Sequence, residues 1–110
     1  KRLARERSRL VVAFGDCAVT GNITSMRNMF GDTEAVTKRA YVENATIQQQ
    51  IPQPDAILPT LLDKVVPLHQ IVPVDVYLGG CPPSADLILF MVSELLAGRL
   101  PELKDKLKYG

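Results

Sequence analysis

The segment VYLGGCPPSAD, residues 76–86, carries the clearest structural signal in the chain. Its first three residues are β-branched, aromatic or aliphatic, a composition typical of a strand, and two glycines end the run. Cys81 comes next, followed by two prolines and Ser84, a residue type favoured at helix N-caps. The segment therefore predicts a strand and a helix joined by a tight turn that carries a cysteine.

A second segment, VVAFGDCAVTGN at residues 11–22, repeats this arrangement earlier in the chain. The apolar run Leu10–Phe14 suits a strand buried on both faces of a parallel sheet, and Gly15 ends it just before Cys17. The later strand is predicted at Val74–Leu78. A strand, a crossover with a helix, a second strand and a closing helix together indicate an α/β fold with parallel strands.

Several further segments have helical patterns. The predicted helices are the charged residues 3–9, a helix that begins at Asp32 or Thr33 and runs to about Val42, a turn or two within residues 60–67, and Ser84–Ala97, with Gly98 as its C′ residue. The closing helix contains six consecutive apolar residues, which predicts burial on more than one side. One side would pack on the sheet, and the other on further chain or on another subunit.

The stretch ENATIQQQIPQPDAILP, residues 43–59, is polar and contains three prolines. It predicts no regular structure. Irregular segments of this length in a compact domain are usually functional or packed on a partner, and the alternative is a disordered excursion. The sequence leaves both interpretations open.

Composition restricts the possible functions. The 110 residues suffice for one domain with a modest core, and a net charge of +1 gives no general attraction to nucleic acid or to an anionic membrane. No apolar run approaches the ~20 residues of a membrane span.

The opening residues KRLARERSRL lack the apolar region of a signal peptide, so we expect a cytoplasmic protein. They also resemble the middle or end of a helix, which suggests the C-terminal part of a longer protein; a processed or tagged terminus is the alternative.

The two cysteines form the candidate site. If the strands are parallel, Cys17 and Cys81 emerge at the same carboxyl edge of the sheet, where open α/β sheets bind their ligands. The neighbouring glycines permit tight turns. Loop amides and a helix N-terminus after Pro83 would favour an anion such as a thiolate or a metal–sulfur cluster.

Other interpretations of the two cysteines compete with metal binding. Buried cysteines are often inert, and a disulfide is disfavoured in a chain without an export signal. Zinc would need four ligands, for which His69 and Asp16 are the obvious additions. A catalytic pair is conceivable, although no C-x-x-C motif is present. Spacing alone does not choose among these.

The sequence around the cysteines resembles the small subunits of nickel–iron hydrogenases, above all those of the soluble, NAD-reducing group. The likeness covers residues 8 to 110. It rests on GDCAVTGNITSMRN (15–28), AYVENAT (40–46), LLDKVVPLHQIVPVDVYLGGCPPSADLI (61–88) and LLAGRLPEL (95–103). The glycine–cysteine–proline–proline signature is shared more widely, including with the cluster-bearing subunit of respiratory complex I.

The resemblance implies a flavodoxin-like α/β domain, a parallel sheet flanked by helices, of which residues 1–110 would be the C-terminal part. It implies a [4Fe–4S] cluster proximal to the nickel–iron centre of the large subunit, held by four cysteines. Cys17 matches the ligand in a GDCA stretch and Cys81 the ligand in GCPP. The other two belong to a C-x-x-C pair near the N-terminus of the family, and this sequence has no such pair.

The implied function is electron transfer from hydrogen oxidation toward NAD⁺. The partners would be the large subunit, where hydrogen is split, and a NAD-reducing flavoprotein and iron–sulfur module. Backbone groups of Gly15, Ala18, Gly80 and Ser84 are candidate cofactor-binding groups that would tune the cluster potential. Two alternatives stay open: a cluster-bearing subunit of a complex I-like or membrane-bound hydrogenase, and a non-redox α/β binding module with inert cysteines.

The sequence also predicts roles for four residues other than the cysteines. His69, the single histidine, suits a structural role better than a ligand or proton-path role. Asp16 is expected to accept hydrogen bonds from loop amides rather than to act as an acid or base. Arg27 and Asn28 match an arginine–asparagine pair of the family, and they would face the large subunit or the cluster; an ordinary surface role is the alternative.

Overall fold

A computed structural model describes residues 2–103. In chain order its helices and strands are α1 (Arg2–Glu6), β1 (Val12–Phe14), α2 (Asp16–Val19), α3 (Asn22–Ser25), a 3-10 helix (Met26–Phe30), α4 (Thr33–Lys38), a π-helical turn (Arg39–Glu43), a second 3-10 helix (Leu68–Gln70), β2 (Val76–Leu78) and α5 (Ala85–Leu96). The chain divides into two compact units. One combines the residues up to Ile23 with those from Val66 onward, and the other comprises Thr24–Val65. The sequence-based interpretation of one domain stays a prediction.

Strands β1 and β2 lie side by side and run parallel, with Val12 opposite Val76 and Phe14 opposite Leu78. The predicted α/β class with parallel strands is therefore confirmed. Both strands are shorter than predicted, because Asp75 bonds to the residue before β1: its carboxylate accepts the Val11 amide at 2.8 Å. The same carboxylate accepts a hydrogen bond from the Arg5 guanidinium at 2.9 Å, which ties α1 to the start of β2.

The core of this unit lies between the strands and α5. Leu78 is completely buried, and Leu87 and Met91 of α5 pack in the same apolar cluster as Val76 and Leu103. Helix α5 begins where Ser84 predicts it, since the Ser84 hydroxyl accepts the Leu87 amide at 3.3 Å. The helix therefore begins at Ala85, four residues after Cys81.

The opposite side of α5 is exposed. Leu89, Val92 and Leu96 carry large apolar side chains to the surface, and Leu96 is 85% exposed. Burial of this face by another subunit or by further chain stays a prediction. Within residues 2–103, no helix is both long and apolar enough to cross a membrane.

The second unit is built on α4 and its π-helical extension. Asp32 caps α4 by accepting the Glu34 amide at 2.8 Å, so the helix predicted from Asp32 or Thr33 to about Val42 is confirmed. The turn or two of helix predicted within residues 60–67 is wrong, because these residues are irregular. Side chains from elsewhere in the unit bond the backbone of this stretch. The Arg27 guanidinium donates to Leu62 O and Asp63 O, the Asn28 amide donates to Val65 O, and Val65 N donates to Asn28 Oδ1. A helix here would have used Leu62 O and Val65 N in its own hydrogen bonds.

Residues 45–59 contain no helix or strand, as the three prolines predict for residues 43–59, although Glu43 still belongs to the π-helical turn. The Asp55 carboxylate orders one part of this stretch by accepting the amides of Ile57 and Leu58, both at 2.7 Å. These bonds lower the pKa of Asp55 from its ordinary value of 3.8, and the bond from the Leu58 amide has the larger effect. An open groove of about 430 Å³ lies in this unit, and its lining includes Tyr41, Ile51, Pro52, Pro54 and Leu58.

Candidate metal centre

Two loops at the carboxyl edge of the sheet carry the two cysteines in equivalent positions. Phe14 and Leu78 are opposite each other at the ends of β1 and β2. Cys17 and Cys81 each come three residues later. The parallel pairing therefore brings both cysteines to one edge of the sheet, as the sequence predicts.

Hydrogen bonds join these loops directly beyond the strands. The Gly15 amide donates to Leu78 O at 2.7 Å, and the Asp16 amide donates to Gly80 O at 2.9 Å. In return, the Gly80 amide donates to Asp16 Oδ1 at 2.6 Å. Each residue that directly precedes a cysteine is thus bonded to its counterpart in the other loop.

Asp16 is 8% exposed, which is unusual for an acidic residue, and the bond from the Gly80 amide to its carboxylate compensates for the burial. Its predicted role as an acceptor of loop amides is confirmed, although the amide belongs to the other cysteine loop, 64 residues away in sequence. The sequence offered no signal for that partner.

Gly80 is required by its surroundings as well as by its backbone angle. Its φ is +130°, and a Cβ built there would lie 2.6 Å from Pro83 Cα and 2.8 Å from Pro83 N. Gly15 also has a positive φ, +80°, but a Cβ there would come no closer than 3.5 Å, to Gly80 O. The chain around Cys81 is therefore packed so closely that only glycine fits before the cysteine.

Both cysteines are free thiols and both are exposed. They are not buried, unlike the cysteines of one alternative interpretation, and their binding of a metal stays a prediction. Cys17 lies in the single turn of α2, and Cys81 lies in the turn that precedes α5. An exposed thiol on a firmly bonded loop is available to a metal as a thiolate.

The four predicted tuning residues lie in the same two loops, but most of their amides already have protein acceptors. The Ala18 amide donates to Gly15 O at 3.0 Å, and the amides of Gly15 and Gly80 bond across the loops as described. The Ser84 hydroxyl caps α5. These groups shape the loops, and their contact with a cofactor stays a prediction.

The other residues considered as ligands do not gather around the thiols. Within residues 2–103, no three or more His, Cys, Asp or Glu side chains group together as a metal site would require. The His69 ring packs edge-on against Tyr77, with ring centroids 6.1 Å apart. The described residues therefore fit half of a four-thiolate cluster site better than a zinc site completed by His69 and Asp16.

Comparison with known proteins identifies the family. Residues 2–95 match the family described as NADH ubiquinone oxidoreductase, 20 Kd subunit. The chain belongs to this family. The match spans both strands, both cysteine loops and nearly all of α5.

Individual relatives confirm the resemblance to hydrogenase subunits. The chain is 34% identical over 110 residues to the iron-sulfur subunit of the F420-non-reducing hydrogenase of Archaeoglobus profundus, covering 91% of this chain and 34% of that protein. It is 34% identical over 101 residues to the delta subunit of the NAD-reducing hydrogenase HoxS of Cupriavidus necator, covering 86% of this chain and 46% of that protein. The chain thus spans a third to a half of the length of these two relatives.

A solved structure agrees with the fold. A chain from the crystal structure of an NAD⁺-reducing [NiFe]-hydrogenase in the H₂-reduced state aligns with a TM-score of 0.83 and 36% identity. The alignment covers 99% of this chain and 62% of the other. The α/β arrangement described above is therefore shared with a chain of that hydrogenase.

Proposed function

We propose that this chain is part of an electron-transfer subunit of a nickel–iron hydrogenase, in which Cys17 and Cys81 supply two thiolate ligands of a proximal [4Fe–4S] cluster. The observation that carries the proposal is the equivalent position of the two exposed thiols, three residues beyond paired strand ends. Membership of the 20 kDa subunit family supports it independently. Because the 110 residues contain only these two cysteines, the proposal takes the remaining two ligands from cysteines outside this sequence.

When bound, a cluster of this kind accepts and releases single electrons. The protein's own part is to hold the thiols on two loops that are hydrogen-bonded to each other. Bonds from Gly15 to Leu78 and between Asp16 and Gly80 fix the two loops to each other. Around them, Gly15, Ala18, Gly80 and Ser84 form the surroundings that tune the potential through burial and hydrogen bonding.

We further propose that NAD⁺ is the final electron acceptor and that hydrogen is split on a partner large subunit. The names of the Cupriavidus necator relative and of the solved structure support NAD⁺. The name of the Archaeoglobus profundus relative, an F420-non-reducing hydrogenase, excludes F420 as the acceptor of that protein and names no other. A complex I-like or membrane-bound hydrogenase with a quinone or ferredoxin acceptor is the second candidate, supported by the family description.

Association with other subunits has support from the surface. Large apolar side chains are exposed on α5, and in the second unit Met29, Ile47 and Ile57 are each more than 75% exposed. Exposed apolar groups of this size are typical of surfaces that other proteins cover. The large subunit and a NAD-reducing flavoprotein and iron–sulfur module are the proposed partners. Unpaired thiols suit a reducing compartment, in line with the expected cytoplasmic location.

The test uses the intact protein with the subunits that co-purify with it. Cys17→Ser and Cys81→Ser should each abolish hydrogen-driven reduction of NAD⁺, whereas Ser8→Ala, an exposed substitution between α1 and β1, should leave it unchanged. Normal activity in either cysteine variant would contradict the ligand assignment. Wild-type protein that reduces a quinone or ferredoxin with hydrogen, but not NAD⁺, would favour the second candidate.

A further inference from the structure

Asp16 is the buried charged residue among residues 2–103, and it lies directly before Cys17. A buried carboxylate is costly unless hydrogen bonds compensate for lost hydration. Here Asp16 Oδ1 accepts the Gly80 amide at 2.6 Å, a short bond of the charge-assisted kind. The burial of Asp16 is therefore explained by its hydrogen bond to the other cysteine loop.

Asp16 takes part in the hydrogen bonds that connect the two cysteine loops. Two of the hydrogen bonds that connect them are between backbone groups. A further bond, from the Gly80 amide to Asp16, is provided by a side chain. Together with the Asp16 amide bonded to Gly80 O, it pairs the residue before one cysteine reciprocally with the residue before the other.

The carboxylate also brings negative charge to the thiol pair. It is one residue from Cys17 in sequence, and it contacts the residue that precedes Cys81. Because it is buried, solvent and salt screen it less than they screen a surface charge. Negative charge beside an iron–sulfur cluster disfavours its reduced form and lowers its reduction potential.

We propose that Asp16 is a positioning residue that fixes the spacing of Cys17 and Cys81 and lowers the reduction potential of the cluster that they hold. This inference rests on the proposed function, because it assumes that the two thiols bind one cluster. It goes beyond that function by assigning two separable effects to one side chain: the hydrogen bond sets the geometry, and the charge sets the potential.

Two substitutions separate these effects. Asp16→Asn keeps an oxygen that can accept the Gly80 amide and removes the charge, so it should retain iron at the wild-type level with a more positive midpoint potential. Asp16→Ala removes both, so it should lose at least half of the iron. Asp63→Asn, at an exposed carboxylate in the other unit, is the control and should match wild type in both respects.

Iron per subunit is measured in the intact protein, and midpoint potentials come from redox titrations followed by electron paramagnetic resonance. Wild-type iron content in Asp16→Ala, an unchanged potential in Asp16→Asn, or loss of iron from Asp16→Asn would each overturn the inference. If circular dichroism shows that Asp16→Ala is unfolded, the Asp16→Asn potential decides alone. Wild-type protein without iron would overturn the proposed function as well, whereas iron-loaded wild type with unaltered variants would overturn only the role of Asp16.

Discussion

Substitution of Gly80 by alanine should disrupt the cysteine loops more than an alanine at any open glycine. The added Cβ would lie 2.6 Å from Pro83 Cα, closer than unbonded carbon atoms approach one another. Both atoms of Pro83 that it meets belong to the backbone, so no side chain can turn away. In addition, the φ of +130° is one that residues with side chains rarely adopt.

The expected cost has two parts. Backbone strain at such a φ contributes roughly 1–3 kcal/mol. Forcing an extra carbon into a packed site contributes roughly another 1–3 kcal/mol. Gly98→Ala is the control for a positive φ without a clash, because Gly98 has a φ of +75° and an added Cβ there would meet nothing within 4 Å. That control should cost about 1–2 kcal/mol.

The free energy of unfolding of each variant is measured by urea denaturation of the intact protein. Hydrogen exchange of peptides covering residues 79–84 then locates the damage, because the Gly80 amide is held by Asp16. We expect Gly80→Ala to lose more stability than Gly98→Ala and to exchange faster in these peptides. Equal losses of stability, with unchanged exchange in the loop, would refute the close packing of Gly80 against Pro83.

Two further predictions concern the second unit. Asn28→Ala removes both hydrogen bonds to Val65, from Nδ2 to Val65 O at 2.8 Å and from Val65 N to Oδ1 at 2.7 Å, so local stability should fall by about 1 kcal/mol or more. The Val65 amide should then exchange faster than in Asn28→Asp, which keeps the acceptor; equal rates would contradict the assigned bond. The Asp55 carboxyl should titrate with a pKa below 3.8, because the amides of Leu58 and Ile57 favour its charged form. Its stabilising effect is present above the unfolded pKa and is lost as the pH falls through the lower folded value; a midpoint at or above 3.8, measured by nuclear magnetic resonance, would contradict these bonds.

The sequence predicts the site's location well because location depends on local patterns. Two apolar runs, each ended by glycine and followed by cysteine, predict parallel strands whose ends carry the thiols, and the register places Phe14 opposite Leu78. The cap at Ser84 likewise follows from residue type. Such features are readable because they involve neighbours in the chain.

Features that depend on distant contacts could not be predicted in this way. The helix expected within residues 60–67 is absent because Arg27 and Asn28 bond its backbone from more than 30 residues away. The shortened strands reflect the contact between Asp75 and Val11, 64 residues apart. Gly80 and Asp16 are also 64 residues apart in sequence. The sequence therefore predicts that Asp16 accepts a hydrogen bond from an amide, but not that the Gly80 amide is the donor.

Binding of one cluster by both Cys17 and Cys81 is tested most directly by electron paramagnetic resonance of the reduced intact protein, with iron quantified in the same samples. We predict that Cys17→Ser and Cys81→Ser each abolish or reshape the same cluster signal, while Ser8→Ala leaves the signal and the iron content unchanged. A wild-type spectrum with full iron content in either cysteine variant would contradict the shared cluster.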